Sequence, residues 1–312
     1  MLHITDRRIE DFCRFLLEQD RSGGNIGFVD VGSGGDLKEP WSLLPAELLT
    51  TFDFEPTNAE GESLPLCISN KVGKAQFHVA HDERASSFQK PLADFVERYA
   101  LDNMLAKTEI TVACTSLDEH FSGRYELIDA VDINVEGHDF QVLQGADNLL
   151  AAGAIKLLKI EFELIPVYEG QGYFADIDTY LRARNFRLAD IQIGRERPAK
   201  VRHVFHSGEP MWGKALYAPT QEHLMKRLSH LHSADNVGVA RKEMAAAIAL
   251  YTATKLPGYV YDVLGVAEMA SIISASEATQ LRARIVNVFR WAKLEEGLRR
   301  LGGLGSSFMR TL

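Results

Sequence analysis

The 312 residues are 46% hydrophobic and 25% charged, a globular balance that excludes a disordered chain. The net charge of −9 is uneven: residues 221–312 hold 12 Lys and Arg against 8 Asp and Glu, leaving 22 against 35 in residues 1–220. So acidic a main body does not suit nucleic acid as a substrate.

No apolar run reaches the roughly 20 residues that span a bilayer, and the N-terminus lacks the apolar core of a signal peptide. Cys13, Cys67 and Cys114 are scattered without metal-ligand or CxxC spacing, so they are expected to be small buried residues of a reduced, cytoplasmic protein.

In chain order, Thr5 is placed to cap a helix with the apolar stripe Ile9, Phe12, Cys13 and Leu16, which SGGN ends. IGFVDVG reads as a short buried strand. WSLLPAELLT reads as helix, TFDFEP, LPLCIS and KAQFHVA as strands, 93–105 as helix, and ITVACTSLDEHF as a strand and short helix. In VDINVEGHDFQVLQGA, residues 131–146, Asp132, Asn134 and Glu136 alternate with Val131, Ile133 and Val135, which predicts a strand with one polar side. After Gly137, Val142, Leu143, Ala146, Leu149 and Leu150 follow helical spacing. The strand IKLLKIEFE puts Glu161 and Glu163 on one face. FADIDTYLRARN is helical, and FRLADIQI and KALYAP suit an antiparallel hairpin at a sheet edge.

Strands alternating with helices predict an α/β fold, a doubly wound parallel sheet, over 1–220. Beyond Thr220 about four helical segments follow, with Ser274 and Glu277 in capping-box spacing, so 221–312 is expected to be an appended helical bundle that buries its apolar faces on the main domain or a second copy.

Ligands of such sheets bind at the C-terminal strand ends. FVDVGSGGD enters a Gly-rich turn there, but its glycines do not fit GxGxxG. Glu55, 25 residues after Asp30, ends the next strand where an acid can accept both hydroxyls of a ribose. That pairing suits a nicotinamide dinucleotide or S-adenosylmethionine. His223, His230 and His232 do not converge at helical spacing, so no metal is expected.

The succession VDVGSGGD, FEPTNAE, LCISNKVGKAQFHV, RASSF, TSLDEHF, VDINVEGHDFQVLQGA, KIEFELIPVYEGQGYFADIDTYLRARNF and MWGKALYAP resembles the FkbM family of S-adenosylmethionine-dependent methyltransferases over about 26–218. Its most specific element is VDINVEGHDFQVLQGA, similar to the family's K-I-D-V-E-G-x-E-x-x-V-L-x-G-A. The resemblance implies a Rossmann-like class I methyltransferase sheet. It gives Asp30, Gly32, Ser33 and Gly34 to the methionine and ribose portion of the cofactor, Glu55 to the ribose hydroxyls and Ser69 to the adenine. Ser86 and Ser87 match the family's paired serines near the pocket, and Asn134, Glu136 and Gly137 fall beside the transferred methyl. Two positions depart from the family: its Lys and Asp are Asp132 and Asn134 here, and its G-A-N-x-G turn is G-S-G-G-D. Asn hydrogen-bonds but is not a carboxylate base.

The candidate bases are His138, Glu136, Glu161 and Glu163, with His138 suited by its ordinary pKa. The expected reaction is O-methylation of a hydroxyl on a sugar, glycan precursor or related small molecule, with a homo-oligomer through the C-terminal helices as a further expectation. The alternatives are a non-catalytic S-adenosylmethionine-binding protein whose bundle recruits a partner, which Asn134 favours, and a nicotinamide-dependent oxidoreductase.

Overall fold

The computed structural model describes residues 4–19, 25–32, 37–57, 63–204, 206–233 and 236–290. The strands are β1 (Ile26–Val31), β2 (Leu49–Phe54), β3 (Cys67–Ile68), β4 (Gly73–Ala80), β5 (Ala106–Thr115), β6 (Ala130–Ile133), β7 (Leu157–Glu163), β8 (Phe186–Glu196) and β9 (Glu209–Pro219). The α-helices are α1 (Ile4–Gln19), α2 (Ala93–Tyr99), α3 (Leu117–His120), α4 (Asp139–Gln144), α5 (Asp147–Ala151), α6 (Phe174–Arg182), α7 (Gln221–Ser233), α8 (Val237–Ala253) and α9 (Pro257–Met269). Residues 275–290 are also helical.

Six strands form one sheet in the order β2-β1-β6-β7-β9-β8. The central β1, β6 and β7 are parallel neighbours, and their near-continuous Val, Ile and Leu suit strands buried on both faces. The expected terminal hairpin forms, but β9 pairs antiparallel with both β7 and β8, so β9 is interior and only β8 is an edge. Covering the sheet are α4, α5 and α6, whose Val142, Leu143, Leu149, Leu150, Ile177 and Leu181 join the core of Val131, Ile133, Leu158 and Phe162. This is the predicted α/β, doubly wound, Rossmann-like architecture.

A second, three-stranded sheet has the order β3-β5-β4. Its parallel β3–β5 pairing sets Cys67 directly opposite Cys114, a proximity their separation in sequence did not announce.

Several local expectations change. WSLLPAELLT forms only two short 3-10 turns, Trp41–Leu43 and Ala46–Leu48, because Pro45 lacks an N–H and drives Leu44 into extended backbone. The 93–105 helix ends at Tyr99, with Ala100 left-handed at φ 50°. The position expected to precede the first helix, Thr5, falls inside α1, which already includes Ile4. Most consequentially, β6 ends at Ile133, so the alternation of Asp132, Asn134 and Glu136 does not persist as strand.

The chain divides into two compact units, residues 26–36 with 50–223, and residues 1–25, 37–49 and 224–312. The sequence division at 220 therefore misses α1, which belongs to the helical unit. Its stripe of Ile9, Phe12, Cys13 and Leu16 is buried, with Cys13 Sγ 3.6 Å from the Ala249 carbonyl of α8. Short side chains in α8, Ala245, Ala246, Ala247 and Ala249, are all buried. In the same unit, Arg227 forks onto the buried Glu243 carboxylate. Ser274 and Glu277 form the predicted capping box, each amide bonding the other's side chain at 2.9 and 3.2 Å.

At the sheet's N-terminal end, Asp129 and Lys156 are each 3% exposed and pair at 3.0 Å. Asp129 also accepts the Gly27 amide at 2.9 Å, tying β1, β6 and β7 together. Removing one partner of a buried pair leaves an uncompensated charge and costs about 3–5 kcal/mol. Asp129→Ala should lower stability by that amount in denaturant unfolding.

Candidate functional site

The site begins in the turn after β6. Asn134 still bonds the Val31 carbonyl through its amide, but Glu136 and Gly137 are both left-handed, at φ 54° and 83°. A left-handed non-glycine residue persists where its surroundings over-determine it. Here Asp139 accepts the amides of Val135 and Gly137, each at 3.1 Å, and Ser87 Oγ donates to the Glu136 carbonyl at 2.6 Å. Gly137 is required for packing: a Cβ there would lie 2.4 Å from the Tyr168 ring. Tyr168 uses that proximity to donate its hydroxyl to Glu136 Oε2 at 2.7 Å. Gln171 fixes the Tyr168 loop by accepting the Val167 and Tyr168 amides and donating to the Ile165 carbonyl. Asp139 and Tyr168 were not singled out in the sequence; an acid in the first turn of a helix was the available signal for Asp139.

Glu136 then faces a cavity of about 250 Å³ whose walls also include Glu161, Glu163, Glu196, Phe95, Tyr168, Met211 and Trp212. The period of two along β7 brings Glu161 and Glu163 there together while Ile160 and Phe162 enter the core. Burial raises the proton affinity of all three acids; repulsion by neighbouring carboxylates comes second for Glu161 and for Glu163, which is raised to about 8, whereas in Glu136 the Tyr168 hydroxyl and then Lys214 oppose the rise. The fully buried Asp139 is also pushed up, by burial and then by Glu163. Lys214 lies 4.0 Å from Glu161. Asp132 is not in this group: it pairs with Lys159 at 2.7 Å, a structural ion pair. The expected polar row of the VDINVEG strand is thus split between an ion pair and the cavity.

His138 lies elsewhere. Its Nε2 is 3.0 Å from Ser69 Oγ and its Nδ1 is 3.4 Å from the Gln89 amide nitrogen. It lines a cleft of about 850 Å³ with Ser69, Lys71, Lys74, Gln141 and Gln144. Burial and Lys71 lower its pKa to about 4, so it is neutral at physiological pH. Neither His138 nor Ser69 lines the cavity of Glu136, Glu161 and Glu163.

Among the cofactor positions, Asp30 is partly exposed near the end of β1, opposite Asp132. Gly32 is left-handed at φ 84° and donates to the Phe54 carbonyl at 3.0 Å. A Cβ on it would meet the Asn134 carbonyl at 2.0 Å, so this glycine is required by the neighbouring chain. Ser33 and Gly34 lie outside the described residues. Glu55 follows β2, its Oε1 taking the Thr57 amide and hydroxyl at 3.1 and 2.7 Å, which leaves Oε2 able to accept from a ribose. Ser86 Oγ accepts the Ala80 amide where the β4 register shifts, a structural role, whereas Ser87 positions Glu136. Asn134 Oδ1 is buried without a hydrogen-bond partner among the described residues. An orphaned acceptor at a strand end, beside Gly32 and near the end of β2, fits a ligand carrying N–H or O–H donors. No group of three or more His, Cys, Asp or Glu among the described residues is arranged to hold a metal, and no described helix is long and apolar enough to cross a membrane.

The two kinds of shift have opposite pH signatures. Glu163 keeps its proton in the folded state up to about pH 8, so stability falls as pH rises from the ordinary carboxylate range of about 4 toward that value. Glu163→Gln should therefore be more thermostable than wild type above pH 8 and indistinguishable from it near pH 4. The lowered His138 instead costs stability as pH falls from about 6.5 toward about 4, and His138→Asn should flatten that limb in the same thermal scans.

A solved structure of magnesium protoporphyrin IX methyltransferase from Synechocystis PCC 6803 with bound SAM aligns at 12% identity over 70% of this chain and 86% of that chain. Its TM-score of 0.29 is too low for the overlay to inform the site. No curated protein matches the chain. Residues 45–188, from the turn before β2 into β8, match the family described as the methyltransferase FkbM domain. The turn after β6 and the carboxylates Glu136, Asp139, Glu161 and Glu163 fall within that span, and the chain carries a methyltransferase domain of the FkbM family.

Proposed function

We propose that the chain is an S-adenosylmethionine-dependent O-methyltransferase acting on a hydroxyl of a small polyol or sugar-like molecule. The observation that carries this reading is the carboxylate-lined cavity beside the strand end where Asn134 leaves an unpaired acceptor. When bound, the cofactor supplies an electrophilic methyl group on a sulfonium. Glu55 and Asn134 would hold it, the first through its ribose hydroxyls and the second through a donor near the reacting end.

A hydroxyl acceptor must lose a proton as it attacks, and a base of suitable proton affinity contributes about 10²- to 10⁴-fold. Glu136 suits that role: burial raises its proton affinity, and the Tyr168 hydroxyl engages Oε2, leaving Oε1 to accept. The low proton affinity of His138 and its bond to Ser69 favour a structural role for it. Asn134 in place of the family's Asp keeps the second reading in view, a cofactor-binding protein without turnover.

S-Adenosylhomocysteine at 100 times its dissociation constant should stabilise the protein by about 2.7 kcal/mol. Glu55→Ala should weaken that binding about tenfold or more in calorimetry. Incubation of small-metabolite extracts with S-adenosylmethionine should yield a methyl ether by mass spectrometry, and Glu136→Gln should slow its formation about 10²-fold or more. Binding without any methylated product would support the non-catalytic reading; no binding would reject both.

A further inference from the structure

The acidic cavity is poorly designed for a wholly neutral guest. Glu163 is 5% exposed, and among the described residues no side chain hydrogen-bonds or pairs with its carboxylate, although it lines open space. The other charged groups around it are Glu136 and Asp139 after β6, Glu161 on β7, Glu196 on β8 and Lys214 on β9. One ammonium, directed at Glu161, faces several carboxylates. Tyr168 is occupied with Glu136, and Glu196 accepts the Arg197 amide, while Glu163 has a backbone amide and no side-chain donor among the described residues. Phe95, Tyr168 and Trp212 put three aromatic rings among the cavity's remaining walls, which are otherwise aliphatic and thioether. Trp212 lies against the bare backbone of Gly194, where a Cβ would come within 2.3 Å of its ring. Aromatic faces and a desolvated carboxylate together are the chemistry that selects an organic cation.

We propose that this cavity receives a protonated amine carried by the methyl acceptor, with the Glu163 carboxylate as its counter-ion and the Trp212 and Tyr168 rings as its walls. The inference rests on the methyltransferase reading and narrows the acceptor to an amine-bearing polyol, such as an amino sugar. Glu163 is then a specificity residue. A cation entering beside it stabilises the ionised form, so a proton leaves the protein as the amine binds.

The test is calorimetry on the full chain saturated with S-adenosylhomocysteine, titrated near pH 7 with glucosamine, N-acetylglucosamine and glucose. Glucosamine should bind at least tenfold more tightly than either neutral sugar. Glu163→Gln should abolish that preference while changing S-adenosylhomocysteine affinity by less than twofold. Equal affinities for the three sugars, or no glucosamine binding while S-adenosylhomocysteine still binds, would overturn the inference and leave the methyltransferase reading standing. A tenfold loss of S-adenosylhomocysteine affinity in Glu163→Gln would also overturn it, by giving the carboxylate to the cofactor's own ammonium. Selective glucosamine binding to a chain that does not bind S-adenosylhomocysteine would support the cation site and reject the methyltransferase reading. Should Glu163→Gln not fold, the wild type still decides: glucosamine heats that differ between buffers of unlike ionisation enthalpy report the expected proton release, and identical heats overturn the proposal.

Discussion

Everything at the site depends on the Asp139 carboxylate turning the chain sharply after β6. By accepting two backbone amides it holds Glu136 and Gly137 in consecutive left-handed conformations. Those conformations open the space that the Tyr168 ring fills, and Tyr168 in turn fixes the Glu136 carboxylate. A residue that is wholly buried and serves only backbone groups thereby sets the position of a group that faces the cavity. Ser87, from a distant loop, closes the same arrangement by bonding the Glu136 carbonyl.

The electrostatic character of the cavity follows from the strand geometry. Glu161 and Glu163 must share a face because they are two apart on β7, and that face meets Glu136 across the neighbouring strand end. Acids crowded into a desolvated space have raised proton affinity, which for Glu163 reaches about 8. Asp132 stands apart from these acids, paired with Lys159 directly opposite it in the β6–β7 register. Two carboxylates close together in sequence, Asp132 and Glu136, thus differ in role: the first is ion-paired with Lys159 and the second faces the cavity.

The second cleft is a different environment with different chemistry. Hydrogen bonds join His138 to Ser69 and Gln89, and Asn70 donates to Gln144 beside them. The Ser69 hydroxyl is bound to His138, which fixes the orientation of the imidazole in the cleft. The helical unit, for its part, is held by close packing of small side chains in α8, with Arg227 and Glu243 as its charged anchor.

The order of strands and helices, the acid after β2, the paired glutamates of β7 and the family signature were all legible in the sequence, because periodicity and short-range turn chemistry act between near neighbours. WSLLPAELLT misled because its apolar spacing is helical, while the backbone restriction of one proline outweighs that spacing. The polar row of VDINVEG misled for another reason: a strand pattern cannot reveal where hydrogen bonds from elsewhere end the strand. Only the tertiary structure decided that α1 belongs with the C-terminal helices, that Cys67 meets Cys114, and that His138 and Glu163 occupy separate cavities. Such facts depend on contacts between residues far apart in the chain, and on burial, which changes the proton affinity of a carboxylate or an imidazole without changing its identity.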